Sequence, residues 1–168
     1  MRIHITGNAG AGKTTLAKLL GEQLDLPAHH LDTVVWGPGW TKPSSDLKLQ
    51  AISKLAANDS WIIEGVSEQV RKRADFVIVL ATPTYKCLYR CVKRCFQVGF
   101  RSRPELPPNC PEIAILFRAI KIVLRFQRSI GHQLQTDAIH NDNYIHCEDP
   151  VSAVEQLQCI LRTANTGR

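Results

Sequence analysis

Apolar residues follow two rhythms along this chain, short unbroken runs and stripes of helical period, and their alternation predicts strands separated by helices. Residues 2–6 read as a short strand and residues 7–12 as a glycine-rich turn. Lys13–Leu24 then reads as a helix, with Leu16, Leu19, Leu20 and Leu24 on one face and Pro27 as its stop. Residues 28–31 are a weak second strand, and Gly37-Pro38-Gly39 marks a loop. A helix over residues 45–57 follows, capped by Ser44. Residues 61–63 form a short strand that ends at Glu64-Gly65. Phe76–Leu80 is apolar throughout, as parallel strands covered on both faces are. Thr82-Pro83 is expected to open the next helix, as N-cap and first-turn proline.

Between residues 99 and 111, prolines at 104, 107, 108 and 111 exclude regular helix and central strand. A long helix is expected over residues 112–128, with Ile113, Leu116, Phe117, Ile120, Val123 and Leu124 on its inward side. Tyr144–Cys147 is the last expected strand. Asp149-Pro150 starts a final helix with Val151, Val154, Leu157 and Leu161 inward. About five strands alternating with helices imply a three-layer α/β fold with a mainly parallel sheet. The 168 residues are expected to form a single domain, without repeat or linker.

The turn after the first strand carries candidate chemistry. Gly7-Asn8-Ala9-Gly10-Ala11-Gly12-Lys13-Thr14 matches the P-loop pattern G-x-x-x-x-G-K-[ST] at every fixed position, and Thr15 follows it. Glycines let the backbone approach a phosphate closely. Successive N–H groups form an anion-binding concavity, and the following helix presents its positive end to it. Lys13 adds a mobile charge for the β- and γ-phosphates, and the Thr14 hydroxyl suits Mg²⁺. The strand before and the leucine-striped helix after are the context this motif requires. ATP is the expected nucleotide, because no guanine-reading Asn-Lys-x-Asp run occurs.

Two acids stand at the ends of expected strands, Asp32 and Glu64. Ligands of open α/β sheets bind beyond the carboxyl ends of the strands, so both acids are candidates for the site. Glu64 is expected to serve magnesium through water, and Asp32 to bind the acceptor or act as its base. His29 and His30 are read as structural.

Charge is unevenly placed and adds one further signal. Residues 86–128 carry ten bases and two acids, whereas residues 129–168 carry two bases and five acids. Such a segment attracts polyanions, either nucleic acid or nucleotide phosphates. Arg90 and Arg94 lie four apart on one helix, and Arg101 and Arg103 lie in the proline-rich loop. Phosphoryl transfer uses cations that close over the γ-phosphate, and arginine forks suit phosphate. Arg118, Lys121, Arg125 and Arg128 read instead as a solvated helix face.

Six cysteines include no C-x-x-C pair, which leaves no strong zinc or redox signal. Cys87, Cys91 and Cys95 recur every four residues and read as small apolar core residues. No apolar run approaches the roughly 18 residues of a membrane span. The short, polar N-terminus does not read as a signal peptide, so a cytoplasmic location is expected.

Taken in order, these motifs resemble the adenylate-kinase-related branch of P-loop proteins, and more closely a bacterial family named DNA topology modulation proteins. The resemblance rests on the loop from Gly7 through Thr15, His30-Leu31-Asp32, Trp36, Pro38-Gly39-Trp40 and residues 61–65. Arg90, Arg94 and the stretch from Arg103 to Glu112 extend it, so that it spans roughly residues 2–128. It implies a nucleoside-monophosphate-kinase-like fold with strand order 2-3-1-4-5. It also implies a lid near residues 99–112 whose arginines reach the triphosphate. That family more often has Asp-Gly where this chain has Glu64-Gly65, which keeps the charge and lengthens the side chain. Two functional readings follow. The first is a kinase that takes ATP–Mg²⁺ and a small-molecule acceptor, with Asp32, Trp36 and Trp40 shaping the acceptor pocket. The second is a nucleotide-gated nucleic-acid-binding regulator. The first is favoured, because no helix-turn-helix, zinc-finger or RNA-binding signature accompanies the basic segment.

Overall fold

The computed structural model describes residues 1–98, 106–139, 141 and 143–166. Five strands form one all-parallel sheet: β1 Arg2–Gly7, β2 Ala28–His30, β3 Trp61–Glu64, β4 Phe76–Leu80 and β5 Tyr144–Cys147. Their order across the sheet is 2-3-1-4-5, as the resemblance implied. Helices α1 Lys13–Leu24, α2 Leu31–Val35, α3 Ser45–Ala56, α4 Glu68–Arg71 and α5 Thr84–Val98 occupy the first part of the chain. Helices α6 Leu116–Phe126, α7 His132–Ile139 and α8 Pro150–Thr166 follow.

The two-residue period of the strands sorts the core into layers. Ile3, Ile5, Ile62, Ile78 and Leu80 share one cluster with Leu16 and Leu20 of α1 and Ala153 and Leu157 of α8. The alternate residues build the other side. Trp61 and Ile63 pack with Leu31, Ile52 and Val70. Val77 and Val79 pack with Phe126 and Leu134. Cys87, Cys91 and Cys95 are buried along α5, as their spacing predicts.

Local signals place several boundaries well. The Ser44 hydroxyl accepts from the Leu47 N–H and caps α3. Asp149 Oδ1 accepts from the N–H groups of Val151 and Ser152 and caps α8. Other expectations are corrected. The second strand ends at His30, and Leu31 already begins α2. Thr82 is not the cap of α5: Pro83 supplies the first helical carbonyl, to the Cys87 N–H. The Thr82 hydroxyl instead donates to Ala11 O and Glu148 O, tying the loop after β4 to the glycine-rich turn. Val151 is exposed, although the stripe of α8 assigned it inward.

The expected long helix over 112–128 is broken into a 3₁₀ turn, Glu112–Ile115, then α6, then a π turn, Gln127–Gly131, that runs into α7. Its expected inward stripe holds only in part: Val123 is fully buried, but Ile113, Phe117 and Leu124 are exposed, and Phe126, outside the stripe, is buried. The apolar residues of α6 serve three environments at once: the sheet, the cavity described below, and solvent. A single-stripe reading cannot separate these.

Candidate functional site

The central strand β1 delivers the chain to the turn at residues 7–12 with neighbours on both sides. Register pairs Ile5 with Glu64 on β3 and Gly7 with Leu80 on β4. The turn is tight enough that a Cβ on Gly10, at φ 80°, would lie 2.6 Å from the Cys87 carbonyl oxygen of α5. The Asn8 amide fixes the turn from within: its Oδ1 accepts from the Ala9 N–H, and its Nδ2 donates to Val123 O of α6. Lys13 folds back over the turn, donating to Asn8 O across 2.9 Å.

Strand register also brings the first acid to this turn. His30 on β2 pairs with Glu64 on β3. Glu64 Oε1 accepts from Thr14 Oγ1 at 3.1 Å and from His30 Nδ1 at 2.9 Å. Glu64 is only 6% exposed. Burial by itself pushes its carboxyl upward. The His30 hydrogen bond, the Lys13 charge and the Thr14 hydroxyl outweigh this and hold it below its ordinary value. It is therefore a carboxylate near neutral pH and can only accept, so His30 Nδ1 carries the hydrogen between them. His30, read from sequence as structural, thus belongs to the site. The following Gly65 has φ 137°, and a Cβ there would meet the Leu31 side chain at 2.8 Å, so a side chain is excluded where β3 passes α2.

One cavity of about 790 Å³ runs from the turn toward α2 and α3. Gly7, Gly12, Lys13, Thr14 and Thr15 line one end, with Arg90 and Arg94 of α5. Glu64, Asp32, Trp36, Trp40, Lys48 and Arg118 line the rest. Asp32 and Glu64 therefore share a cavity, as strand-end placement requires. The tryptophans stack edge to face, with centroids 5.4 Å apart. Trp40 holds a left-handed backbone at φ 58°, rare for a bulky residue. Its Nε1 donates to Pro111 O, and its N–H to Cys110 Sγ, so residues 110–111 fix its pose.

The basic residues divide differently from the sequence reading. Arg90 donates to Gly10 O and Ala11 O, both at 3.3 Å, and so clamps the turn while lining the cavity. Arg94 pairs with the buried Glu112 at 3.1 Å. Arg118 is exposed, as its place on a solvated face leads one to expect, and it also lines the cavity, with its guanidinium 4.9 Å from the Trp36 ring centre. Arg101 and Arg103 lie outside the described residues, as do residues 99–105 of the expected lid at 99–112. From Leu106 onward that stretch meets the tryptophan loop: Gly39 N–H donates to Pro108 O, and Cys110 Sγ to Gly37 O. Among the described residues, no group of three or more His, Cys, Asp or Glu side chains forms a metal cluster. No described helix is long and apolar enough to cross a membrane.

A glycine-rich turn between a central parallel strand and α1, in a sheet ordered 2-3-1-4-5, defines the fold class as that of P-loop kinases. Solved structures match it over nearly the whole chain. A shikimate kinase from Bacteroides thetaiotaomicron is 19% identical, with TM-score 0.58, over 96% of this chain and 98% of that one. A shikimate kinase from Acinetobacter baumannii in complex with shikimate is 16% identical, with TM-score 0.56, over 96% and 93%. A deoxyadenosine kinase from M. mycoides with bound dATP is 12% identical, with TM-score 0.59, over 96% and 100%. At such identities the likeness shows the fold. No family model matches the chain, and no curated protein matches it. The DNA topology modulation family is not shown by any of these comparisons, and the kinase neighbours lend the nucleic-acid reading no support.

Proposed function

We propose that this protein transfers the γ-phosphoryl group of ATP to a hydroxyl group on a small molecule. The observation that carries this reading is the single cavity joining the phosphate-binding turn to Asp32, Trp36 and Trp40. A turn that binds triphosphate alone needs no second, aromatic-lined end. Two fold neighbours bind molecules of these two kinds, one with bound dATP and one in complex with shikimate.

In this reading the N–H groups of residues 10 and 12–14 and the ammonium of Lys13 hold the β- and γ-phosphates. Thr14 Oγ1 and the Glu64 carboxylate are hard oxygen donors at 3.1 Å from each other, the donor type magnesium takes. A magnesium ion held there would neutralise charge on the β- and γ-phosphates. Among the described residues Glu64 Oε2 accepts no hydrogen bond, which leaves that oxygen available to a cation. Arg90 keeps the turn in its binding conformation, and Arg94 adds positive charge to the same wall. Asp32 takes the acceptor's proton. The acceptor oxygen bonds to the γ-phosphorus, the bond from that phosphorus to the bridging oxygen breaks, and ADP departs with the electron pair.

The test is a thermal-shift screen of nucleotides and metabolites with ATP and magnesium, because bound ligands raise stability by mass action. Compounds that shift the transition are then assayed for ADP formation. Acceptor-dependent ADP formation that falls on the order of 10²-fold in Asp32→Asn, with ATP affinity retained, is the expected result. Binding of ATP without phosphoryl transfer to any compound in the screen overturns the reading.

A further inference from the structure

The cavity carries more positive charge than its donor end uses. Six basic side chains line it, Lys13, Lys18, Lys48, Arg90, Arg94 and Arg118, against the acids Glu22, Asp32 and Glu64. Most of the bases are already engaged. Lys13 and Arg90 bond the carbonyls of the turn, and Arg94 pairs with Glu112. Arg118 and Lys48 differ. Among the described residues, neither side chain forms a hydrogen bond or ion pair with any other. Arg118 lies against Trp36, and Lys48 comes from α3, which packs on α2.

Their settings suit a ligand. The Arg118 guanidinium is held against the Trp36 ring at 4.9 Å, and Lys42 approaches the same ring at 5.7 Å. A guanidinium resting on an aromatic face keeps its N–H donors available, and it loses little freedom when they bind. Lys48 projects from α3 and is half-buried, so its charge is less screened than one on an open surface. A bound magnesium would neutralise part of a triphosphate's charge, so the donor nucleotide would not account for two further cations on the α2 and α3 side.

We infer that the acceptor is an anion: a hydroxyl-bearing small molecule with a carboxylate or phosphate group that Arg118 and Lys48 recognise, its hydroxyl directed to Asp32 and the turn. This rests on the kinase reading above and adds the substrate class. Arg118 and Lys48 are then specificity residues. A site built to pair an anion discriminates strongly against the neutral analogue, because that analogue leaves the cations without their partner.

The experiment uses the full-length protein with ATP and magnesium and four matched pairs: gluconate and glucose, glycerate and glycerol, 4-hydroxybenzoate and its methyl ester, AMP and adenosine. ADP formation gives kcat/KM for each compound. Tryptophan fluorescence, in protein saturated with ADP and magnesium, gives binding of the same compounds independently of turnover. In at least one pair the anion is expected to exceed its neutral partner at least 10-fold. Arg118→Ala and Lys48→Ala should each erode that ratio on the order of 10-fold, and Arg118→Lys should retain part of it. Neutral compounds used as well as anions, an unchanged ratio in both alanine variants, or no anion bound or phosphorylated each overturns the proposal. Anion binding that depends on Arg118, with no phosphoryl transfer to any compound, keeps the anion site and overturns the kinase reading instead.

Discussion

The hydroxyl of Thr14, in the first turn of α1, donates to Glu64 at the end of β3 across 3.1 Å, although fifty residues separate them in sequence. Neither residue alone makes a magnesium site. Together they set two oxygens of the kind magnesium takes beside the glycine-rich turn, and His30 holds the carboxylate from the other side. Glu64→Gln keeps the size and removes the charge. The expected result is a rise in the magnesium concentration needed for half-maximal turnover, on the order of 10-fold or more. A magnesium titration of ADP formation checks this. An unchanged titration removes Glu64 from the metal site.

Lys13→Ala tests the donor end. Among the described residues the Lys13 ammonium donates one hydrogen bond, to Asn8 O, and no core cluster includes the residue. ATP affinity by calorimetry should fall on the order of 10²-fold while the melting temperature without nucleotide stays within a few degrees. Equal ATP affinity in variant and parent would sink the assignment of this turn.

Glu112 and Arg94 form a pair whose carboxylate side is 3% exposed and whose guanidinium side is 30% exposed. Removing a buried partner strands the other charge. The cavity hydrates Arg94 in part, so Glu112→Ala should cost about 2 kcal/mol, below the full penalty of a sealed pair. Urea unfolding measures it. Adding Arg94→Met should cost less than the two single changes summed, because the stranded charge goes with it.

His4 predicts a pH dependence of stability. It is fully buried in β1, its Nε2 donates to Gly65 O at 3.0 Å, and its Nδ1 has no partner among the described residues. Burial lowers its pKa from 6.5 to about 4. The unfolded chain therefore takes up this proton first as pH falls, and the folded state loses stability from about pH 6.5 down to about pH 4. The full loss is about 3 kcal/mol. Glu64 adds to it at lower pH, because its folded pKa lies below its ordinary value and protonation removes its ion pairing. Unfolding free energies measured from pH 7.5 to 4.5 should decline in the parent and decline less in His4→Gln. Parallel curves for the two proteins would show that His4 contributes nothing.

Much of this molecule was legible before folding. Phe76–Leu80 and Tyr144–Cys147 read as strands, and Lys13–Leu24 as a helix, because each runs long enough in one rhythm for local pattern to prevail. The phosphate-binding turn was legible for a different reason. Its glycines, Lys13 and Thr14 are contiguous, so the motif contains its own geometry. Asp32 and Glu64 were found by a rule about strand ends, which needs only the strands. The misses share one cause. His30 became a partner of Glu64 only when parallel register set β2 beside β3. Arg118 lies on a solvated face as read, but helical period says which residues share a side and not that this side borders the cavity. Its meeting with Trp36 joins residues 82 positions apart through a break into 3₁₀ turn and helix that no local stripe announces. Local sequence thus determined the elements and the donor loop, where the decisive interactions lie within a few residues. Only tertiary structure decided which side chains close the cavity, because those contacts follow from how the layers pack.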